Sequence, residues 1–206
     1  MRIRHHASLG LAATACLVLS GCTNAADWNA NRSSQIHSFD TSSIQAQPDI
    51  IAKLPQGALE DGVLDVAAST DYAPAEFLDP SGKAVGYDVD LTNAIAAVLG
   101  VKGKVHTAEF DSIIASIGSK YDAGISSFTV TPERTAEVDM TAYINVGSRF
   151  NVQAGNPKGV ETSDHLKLCG RTIGVQVGTA QETTMRDAAD KCAQAGKPVL
   201  SVRSYS

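Results

Sequence analysis

The residues best suited to binding chemistry lie in the stretch Tyr121–Arg134, which carries several hydroxyl side chains and an arginine. Ser126, Ser127 and Thr129 follow an apolar run, so we expect them near the end of a buried strand. Arg134 falls in the first turn of a predicted helix, where a cation is slightly unfavourable beside the positive end of the dipole. A guanidinium placed there, together with free backbone amides, can bind a carboxylate through two parallel hydrogen bonds. The stretch therefore predicts an anion site.

The three residues before Arg134 predict the helix start. Thr131 can cap exposed amides, Pro132 suits the first helical position, and Glu133 complements the dipole. This pattern leaves a second interpretation of Arg134 open, namely a surface ion pair with Glu133 or another acid.

The composition is that of an ordinary globular protein, with 43% hydrophobic and 19% charged residues in 206. Such a chain can form one core or two small lobes. The net charge of -5 and the lack of a basic run interleaved with aromatic residues argue against nucleic-acid binding. The His, Cys, Asp and Glu residues show no metal-ligand spacing, so we expect no metal and no cofactor.

Alternating strand and helix patterns predict an α/β fold with a parallel sheet. The predicted strands of the first part are Val63–Ser69, Val105–Phe110 and Tyr121–Ser127, and a helix capped by Asp88 and stopped by Gly100 lies between the first two. Ligands sit at the carboxyl ends of strands in such sheets. The residues expected to converge at that edge are Asp71, Tyr72, Phe110 and the segment from Ser126 to Thr129.

A second unit is predicted after an extended crossing. Thr172–Val177 and Val199–Val202 have strand character, and Thr179 with Glu182 forms the capping box of a helix between them. This helix start gives a second corner favourable to anions. A last strand with no helix to cover it indicates that the sequence is incomplete.

The N-terminus is predicted to be a targeting segment. Arg2 and Arg4 precede a run of apolar and small residues that is too short for a transmembrane helix. The run ends in Leu19-Ser20-Gly21-Cys22, which resembles the lipobox of bacterial lipoproteins, in which cleavage leaves the cysteine as the lipidated first residue. A secretory signal that happens to end near a cysteine is the alternative.

The lipobox resemblance implies a signal peptide over residues 1–21, lipidation of Cys22, and a protein held at the outer side of the cell membrane. Residues 22–47 are rich in Ser, Asn, Ala, Gln and Asp, which predicts a flexible tether. Of the four cysteines, Cys16 and Cys22 belong to this region, and Cys169 and Cys192 remain. In an oxidising compartment these two are expected to form a disulfide; two buried free thiols are the alternative, because spacing does not establish the geometry.

From about Leu64 onward the chain resembles the bacterial extracellular solute-binding proteins of amino-acid ABC importers, family 3. The order and spacing of several segments agree with that family. These segments are Tyr72-Ala73-Pro74, Gly86-Tyr87-Asp88-Val89-Asp90-Leu91, Phe110-Asp111-Ser112-Ile113-Ile114, Tyr121-Asp122-Ala123, Thr129-Val130-Thr131-Pro132-Glu133-Arg134 and Val175-Gln176-Val177-Gly178-Thr179-Ala180-Gln181-Glu182.

The resemblance implies a two-lobed clamshell of the periplasmic-binding-protein-like fold, type II, with an incomplete second lobe. Its parts would be a first lobe over 48–145, a hinge or crossover strand over 146–156, and a partial second lobe over 157–206. The implied function is that of a monomer that binds an amino acid or similar small zwitterion and delivers it to a membrane permease. The alternatives are an enzyme or sensor domain on the same fold, for example a cyclic-acid dehydratase, and a non-functional fragment.

The resemblance also assigns roles within the cleft. Arg134 would bind the ligand carboxylate with the backbone amides of Thr129 and Thr179. The other expected contacts are Ser126 and Ser127 at the ammonium group, Tyr72 and Phe110 on either side of the side chain, and Gln181 from the second lobe. Asp71 would contact a cationic ligand or bond only to its own turn.

Overall fold

The computed structural model describes residues 38–206. The predicted signal peptide, Cys22 and the first part of the predicted tether lie outside these residues. The described chain forms two α/β units, joined by a segment without helix or strand between residues 136 and 164. None of its helices has the length and apolar composition needed to cross a lipid bilayer.

The first unit is built on a parallel sheet whose central strand is β1 (Val63–Ala68). Its inward-facing residues are almost fully buried, as the apolar pattern predicts. Beside it run β5 (Lys102–Thr107) and the short β6 (Ala123–Gly124). The register pairs Val63 with Lys102, so β5 begins and ends three residues earlier than predicted. Phe110 consequently starts the helix α3 (Phe110–Ser116) instead of ending a strand.

An antiparallel hairpin sheet separates β1 from the next helix. It consists of β2 (Asp71–Tyr72), β3 (Glu76–Leu78) and β4 (Ala84–Val85). The following helix, α2 (Tyr87–Leu99), ends at Gly100 in the left-handed conformation, as predicted.

The N-cap of α2 is Gly86, not Asp88 as predicted. Gly86 has φ 121°, and a Cβ there would lie 2.2 Å from the carbonyl oxygen of Ala75, so only glycine permits this close approach. The amide of Asp88 donates to that same carbonyl at 2.9 Å. Asp88 therefore lies inside the first turn with its side chain buried against β3.

The described end of the predicted tether packs against α2. The amide of Phe39 donates to the Asp90 carboxylate at 2.9 Å, and the amide of Gln47 donates to the carbonyl of Val98 at 2.8 Å. The short helix α1 (Pro48–Ile51) follows. Two backbone donors of the predicted tether, at its positions 39 and 47, thus find acceptors on this helix.

The second unit pairs β7 (Thr172–Gln176) in parallel with β8 (Ser201–Tyr205) and packs α5 (Ala180–Gln194) against them. A 3₁₀ helix (His165–Leu168) precedes β7. The predicted disulfide between Cys169 and Cys192 is formed, with a Cα–Cα separation of 5.6 Å. The core around it comprises Leu168, Met185, Ala188, Cys192 and Leu200.

The segment between the units includes the predicted crossover strand at 146–156, which has no assigned strand in the structure. A strand requires a hydrogen-bonded neighbour, and none of the three sheets of the described chain pairs with this segment. It is attached through side chains instead, by Tyr143 to the first unit and Ser148 to the second.

Candidate functional site

Arg134 lies where the two units meet. The helix α4 (Pro132–Thr135) begins as predicted, with Thr131 accepting a hydrogen bond from the Arg134 amide at 3.4 Å. The guanidinium donates to the carbonyl oxygen of Thr129 at 2.7 Å and, across to the second unit, to that of Gly178 at 2.9 Å. No ion pair in residues 38–206 includes Arg134, so the alternative of a pair with Glu133 is not what the structure contains.

Two phenylalanine rings form the floor beneath this guanidinium. Phe110 and Phe128 stack with ring centroids 4.5 Å apart, and the guanidinium carbon lies 5.6 and 5.3 Å from their centroids. Such geometry is attractive because the ring faces are negative. Burial lowers the pKa of Arg134, yet a guanidinium stays protonated in proteins, so a partly desolvated positive charge lies at the contact between the units.

The backbone amides expected to assist Arg134, those of Thr129 and Thr179, make no hydrogen bond in the described part of the chain. At the second corner the capping box of α5 is formed, since Thr179 accepts from the Glu182 amide at 3.1 Å. The Glu182 carboxylate reaches one residue further back than the usual box and accepts from the Gly178 amide at 2.7 Å.

Ser69, Ser126 and Ser127 form a polar corner beyond the end of β1, which we call the serine corner. It connects β1 to the second unit. Ser126 is buried and its hydroxyl oxygen accepts from the Ser69 amide at 3.0 Å. The Ser69 hydroxyl donates to the Asp71 carboxylate at 3.0 Å and lies 3.5 Å from the amide nitrogen of Gln176 in β7. Asp71 is therefore bonded to a serine two residues before it, and it also lies beside the second unit.

Tyr72 and Gln181 line two cavities that do not include Arg134. Tyr72 is 54% exposed and shows no ring stacking in the described residues. With Asp71 it lines a small open cavity of about 270 Å³ whose other walls are Gly174, Val175, Gln176, Tyr205 and Ser206. Gln181 donates to the Ser148 hydroxyl at 2.7 Å and borders a different, larger cavity on the second unit. The expected enclosure of one side chain between Tyr72 and Phe110 remains a prediction.

A polar cluster supports the serine corner from below; its carboxyl groups, Glu76 and Asp88, are buried, whereas Tyr143 is exposed. Ser127 has φ 49°, an uncommon conformation for a residue other than glycine. Its amide donates to the hydroxyl of Tyr143 at 3.0 Å, and that hydroxyl donates to Asp88 at 2.8 Å. The hydroxyl of Ser126 donates to Glu76.

Sequence reasoning missed the roles of Glu76, Asp88 and Tyr143 in this cluster. Asp88 was interpreted as a helix cap, which explained it fully without a tertiary partner. The available signal was the glycine before Tyr87, which allows the helix start to approach β3 closely. Tyr143 carries no motif, and its contact with Asp88 joins residues 55 positions apart.

Residues 64–198 match the model of the bacterial extracellular solute-binding proteins, family 3. The arginine-binding protein ArgT of Corynebacterium glutamicum is 30% identical over 202 residues, covering 97% of this chain and 63% of the relative. The L-cystine-binding protein TcyJ of Escherichia coli is 33% identical over 62% of this chain and 48% of its own length. The chain thus spans roughly half to two thirds of the curated relatives it matches.

A solved structure gives the same result for the fold. The ancestral amino acid-binding protein AncCDT-1, described as a precursor of cyclohexadienyl dehydratase, superposes with a TM-score of 0.62 at 29% identity, over 71% of this chain and 62% of that one. This confirms the predicted α/β, periplasmic-binding-protein-like fold. The family match covers well over half of the chain, and the chain belongs to the bacterial extracellular solute-binding proteins of family 3.

Proposed function

We propose that this protein is the extracytoplasmic substrate-binding component of an ABC importer. It binds an amino acid or a similar small zwitterion and delivers it to the membrane permease. The observation that carries this proposal is the placement of Arg134, whose guanidinium donates to one carbonyl of each unit. A guanidinium group at the contact between two units can bind an anion and so couple its binding to closure of the units.

The ligand carboxylate binds at Arg134. Two of the five guanidinium donors are engaged with carbonyl oxygens, and the free amides of Thr129 and Thr179 supply further donors. The ammonium group of the ligand lies toward Ser126 and Ser127, whose hydroxyls already donate to carboxylates.

The rest of the ligand lies along the aromatic and acidic side of the site. Phe110 offers an apolar face, while Asp71 and Tyr72 border the opening between the units. Gln181 acts at the second corner, beside the start of α5. Similarity to an arginine-binding and a cystine-binding protein supports an α-amino acid, whose carboxylate and ammonium groups are common to both ligands.

The same proposal covers the location of the protein. The match to an extracellular family supports export, and a lipid on Cys22 would hold the protein at the membrane beside its permease. It acts as a monomer. Mass spectrometry of the protein purified from membranes tests the anchor, since Cys22→Ser would release a protein of unlipidated mass.

We propose binding without chemical conversion. One solved neighbour is a precursor of a dehydratase, and a dehydratase needs an acid or base in contact with its substrate. Glu76 is completely buried beneath the serine corner and cannot touch a ligand without rearrangement. Incubation of any bound ligand with the protein, followed by mass spectrometry, should return it unchanged, and accumulation of a product would favour the enzyme.

The direct test of the binding proposal is a thermal-shift screen against the standard L-amino acids. We expect at least one to raise the melting temperature, because a ligand that binds only the folded state stabilises it by mass action. A flat response to all of them at millimolar concentration would contradict the proposal.

A further inference from the structure

Two acidic side chains are buried against each other beneath the serine corner. Glu76 belongs to β3 and Asp88 to the first turn of α2, and both are at most 1% exposed. The close approach of Gly86 to Ala75 brings these elements together. A buried carboxylate is costly unless it is neutralised or fully hydrogen-bonded.

Each carboxyl group has one oxygen that is bonded and one that is not. Glu76 Oε1 accepts from the Ser126 hydroxyl at 2.5 Å. Asp88 Oδ2 accepts from Tyr143 at 2.8 Å and from Ser127 at 3.2 Å. Glu76 Oε2 and Asp88 Oδ1 have no partner in the described chain. The two residues are neighbours in space, because the amide of Asp88 donates to the carbonyl of Ala75, the residue before Glu76, at 2.9 Å.

A single proton would give both of these oxygens a hydrogen-bond partner. Placed on Glu76 Oε2 and donated to Asp88 Oδ1, it would also remove one of the two negative charges. We propose that Glu76 and Asp88 share one proton at neutral pH, and that this acid pair positions Ser126, Ser127 and Tyr143 at the edge of the ligand site. The part of this inference that concerns the ligand rests on the proposed function.

The surroundings favour the shared proton. The titratable groups facing Glu76 are Asp88 from α2 and Asp71 from β2, and both are acidic. Neither Glu76 nor Asp88 takes part in any ion pair within residues 38–206. Burial first, and then the hydrogen bond and charge of Asp88, raise the pKa of Glu76 to about 9, against the opposing hydrogen bond from Ser126. Burial also raises the pKa of Tyr143, which therefore remains a donor to Asp88.

The direction of the pH effect follows from the raised pKa. The unfolded chain releases the Glu76 proton near its ordinary value of 4.5, whereas the folded chain keeps it to about 9. Stability from this group is thus full below pH 4.5, falls as pH rises, and is lost once pH passes the folded value. Above that value two negative charges face each other, and we expect the contacts of Ser127 and Tyr143 to loosen.

The first test is an NMR titration of the full chain labelled with ¹³C at its glutamate and aspartate carboxyl groups. We expect one glutamate resonance to remain in the protonated range at pH 7 and to titrate near pH 9. It should be missing from the spectrum of Glu76→Gln. If every carboxyl resonance titrates below pH 6, the pair shares no proton and the proposal is wrong.

The second test uses Glu76→Gln, whose amide can donate permanently to Asp88, with the exposed Glu60→Gln as control. We expect the free energy of unfolding of the wild type and of the control to fall between pH 5 and 9.5 relative to that of Glu76→Gln. The slope should correspond to a difference of about one bound proton, as measured by denaturant unfolding. Equal slopes in all three would overturn the proposal. A dependence on added sodium or calcium instead of pH would identify a cation site and would also overturn it.

Ligand affinity supplies the positioning test. For an amino acid that binds, the dissociation constant of the wild type should rise at least several-fold between pH 7.5 and 9.5 relative to that of Glu76→Gln. Parallel pH profiles would contradict positioning. If no amino acid binds at any pH, the proposed function fails, while the carboxyl titration still decides whether the proton is shared.

Discussion

Arg134 is the residue on which the binding account depends. Its side chain donates to Thr129 of its own unit and to Gly178 of the other, and it lies over two aromatic rings. A lysine could place a charge here, but it lacks the planar fork that serves two acceptors at once.

We expect Arg134→Ala to weaken ligand binding by on the order of 2 to 5 kcal/mol, the scale for removing one partner of a desolvated charge pair. This corresponds to a loss of roughly 30-fold to several thousand-fold in affinity. Arg134→Lys should fall between Ala and the wild type. Calorimetric titration measures both, and Arg203→Ala, an exposed arginine on β8, is the matched control. An unchanged affinity in Arg134→Ala would make Arg134 a purely structural link.

At the residue scale, hydrogen bonds between residues close in sequence were predictable, and the partners of residues distant in sequence were not. The Thr131 cap and the Thr179 and Glu182 capping box follow from contacts within three or four positions, and both are formed. The partners of Arg134 are backbone carbonyls, one of them 44 positions away. Carbonyl groups belong to every residue, so no pattern of side chains could single them out.

At the scale of elements, α5 is held at its start by one carboxylate. Glu182 accepts from the Gly178 amide, from Arg186 on the same helix, and from the Ser204 hydroxyl on β8. The hydrogen bonds from Ser204, Arg186 and Gly178, in that order, lower the pKa of Glu182. The helix start, the turn before it and the neighbouring strand thus meet at a single charged group.

Glu182→Gln should lower the free energy of unfolding at pH 7 by about 1 to 3 kcal/mol, the range for hydrogen bonds to a charged group. Because the folded pKa lies below the ordinary 4.5, this stabilisation is present above pH 4.5 and is lost as pH falls through the folded value. Unfolding at pH 7 and at pH 3 should therefore show a difference that shrinks in acid. The exposed Asp187→Asn on the same helix is the control, and a difference that grows in acid would contradict the assignment.

The disulfide belongs to the same scale, because it ties the end of the 3₁₀ helix to the last turns of α5. Cys169 and Cys192 close a loop of 23 positions, which by chain entropy stabilises the second unit by roughly 3 kcal/mol. The double variant Cys169→Ala with Cys192→Ala should lower the melting temperature by a matching amount. Adding a thiol reductant should have no further effect on that variant. A melting temperature equal to the wild type would show that the bridge is neutral.

The strands and helices of the α/β pattern were largely predictable, with errors at their ends; of the predicted strand Tyr121–Ser127, only Ala123–Gly124 is a strand. The antiparallel sheet of β2, β3 and β4 was not predicted. Hydrophobic alternation gave β1 and β7 almost to the residue, while β5 and β8 are displaced by two or three positions. The ends of a strand depend on where its hydrogen bonds to the neighbouring strand begin and stop, and the apolar pattern alone does not show this. The crossing at 146–156 has strand-like residues without a strand beside them.

At the scale of the whole molecule, the two units touch through a glycine. Gly178 has φ 74°, and a Cβ there would lie 2.7 Å from the Cβ of Asp111 at the start of α3. The same turn supplies the carbonyl that Arg134 reaches. Close backbone approach and guanidinium contact therefore occur at one place between the units.

Gly178→Ala should disturb the contact between the units as well as strain the turn. Gly196→Ala is the matched control, since Gly196 has φ 64° with nothing within 4 Å of a new Cβ. Both variants carry the local cost of a side chain at positive φ, about 1 kcal/mol. Only Gly178→Ala should weaken ligand binding and increase the radius of gyration in small-angle scattering. Identical behaviour of the two would show that the units do not need this contact.

The central claim is that a ligand carboxylate binds between the units at Arg134. The most direct measurement is a calorimetric comparison of one bound amino acid with its α-carboxamide, in the wild type and in Arg134→Ala. We predict that the wild type binds the amino acid far more tightly than the amide, and that Arg134→Ala reduces this preference at least tenfold. Equal affinity of the wild type for the acid and the amide, or the same preference in both proteins, would contradict the account.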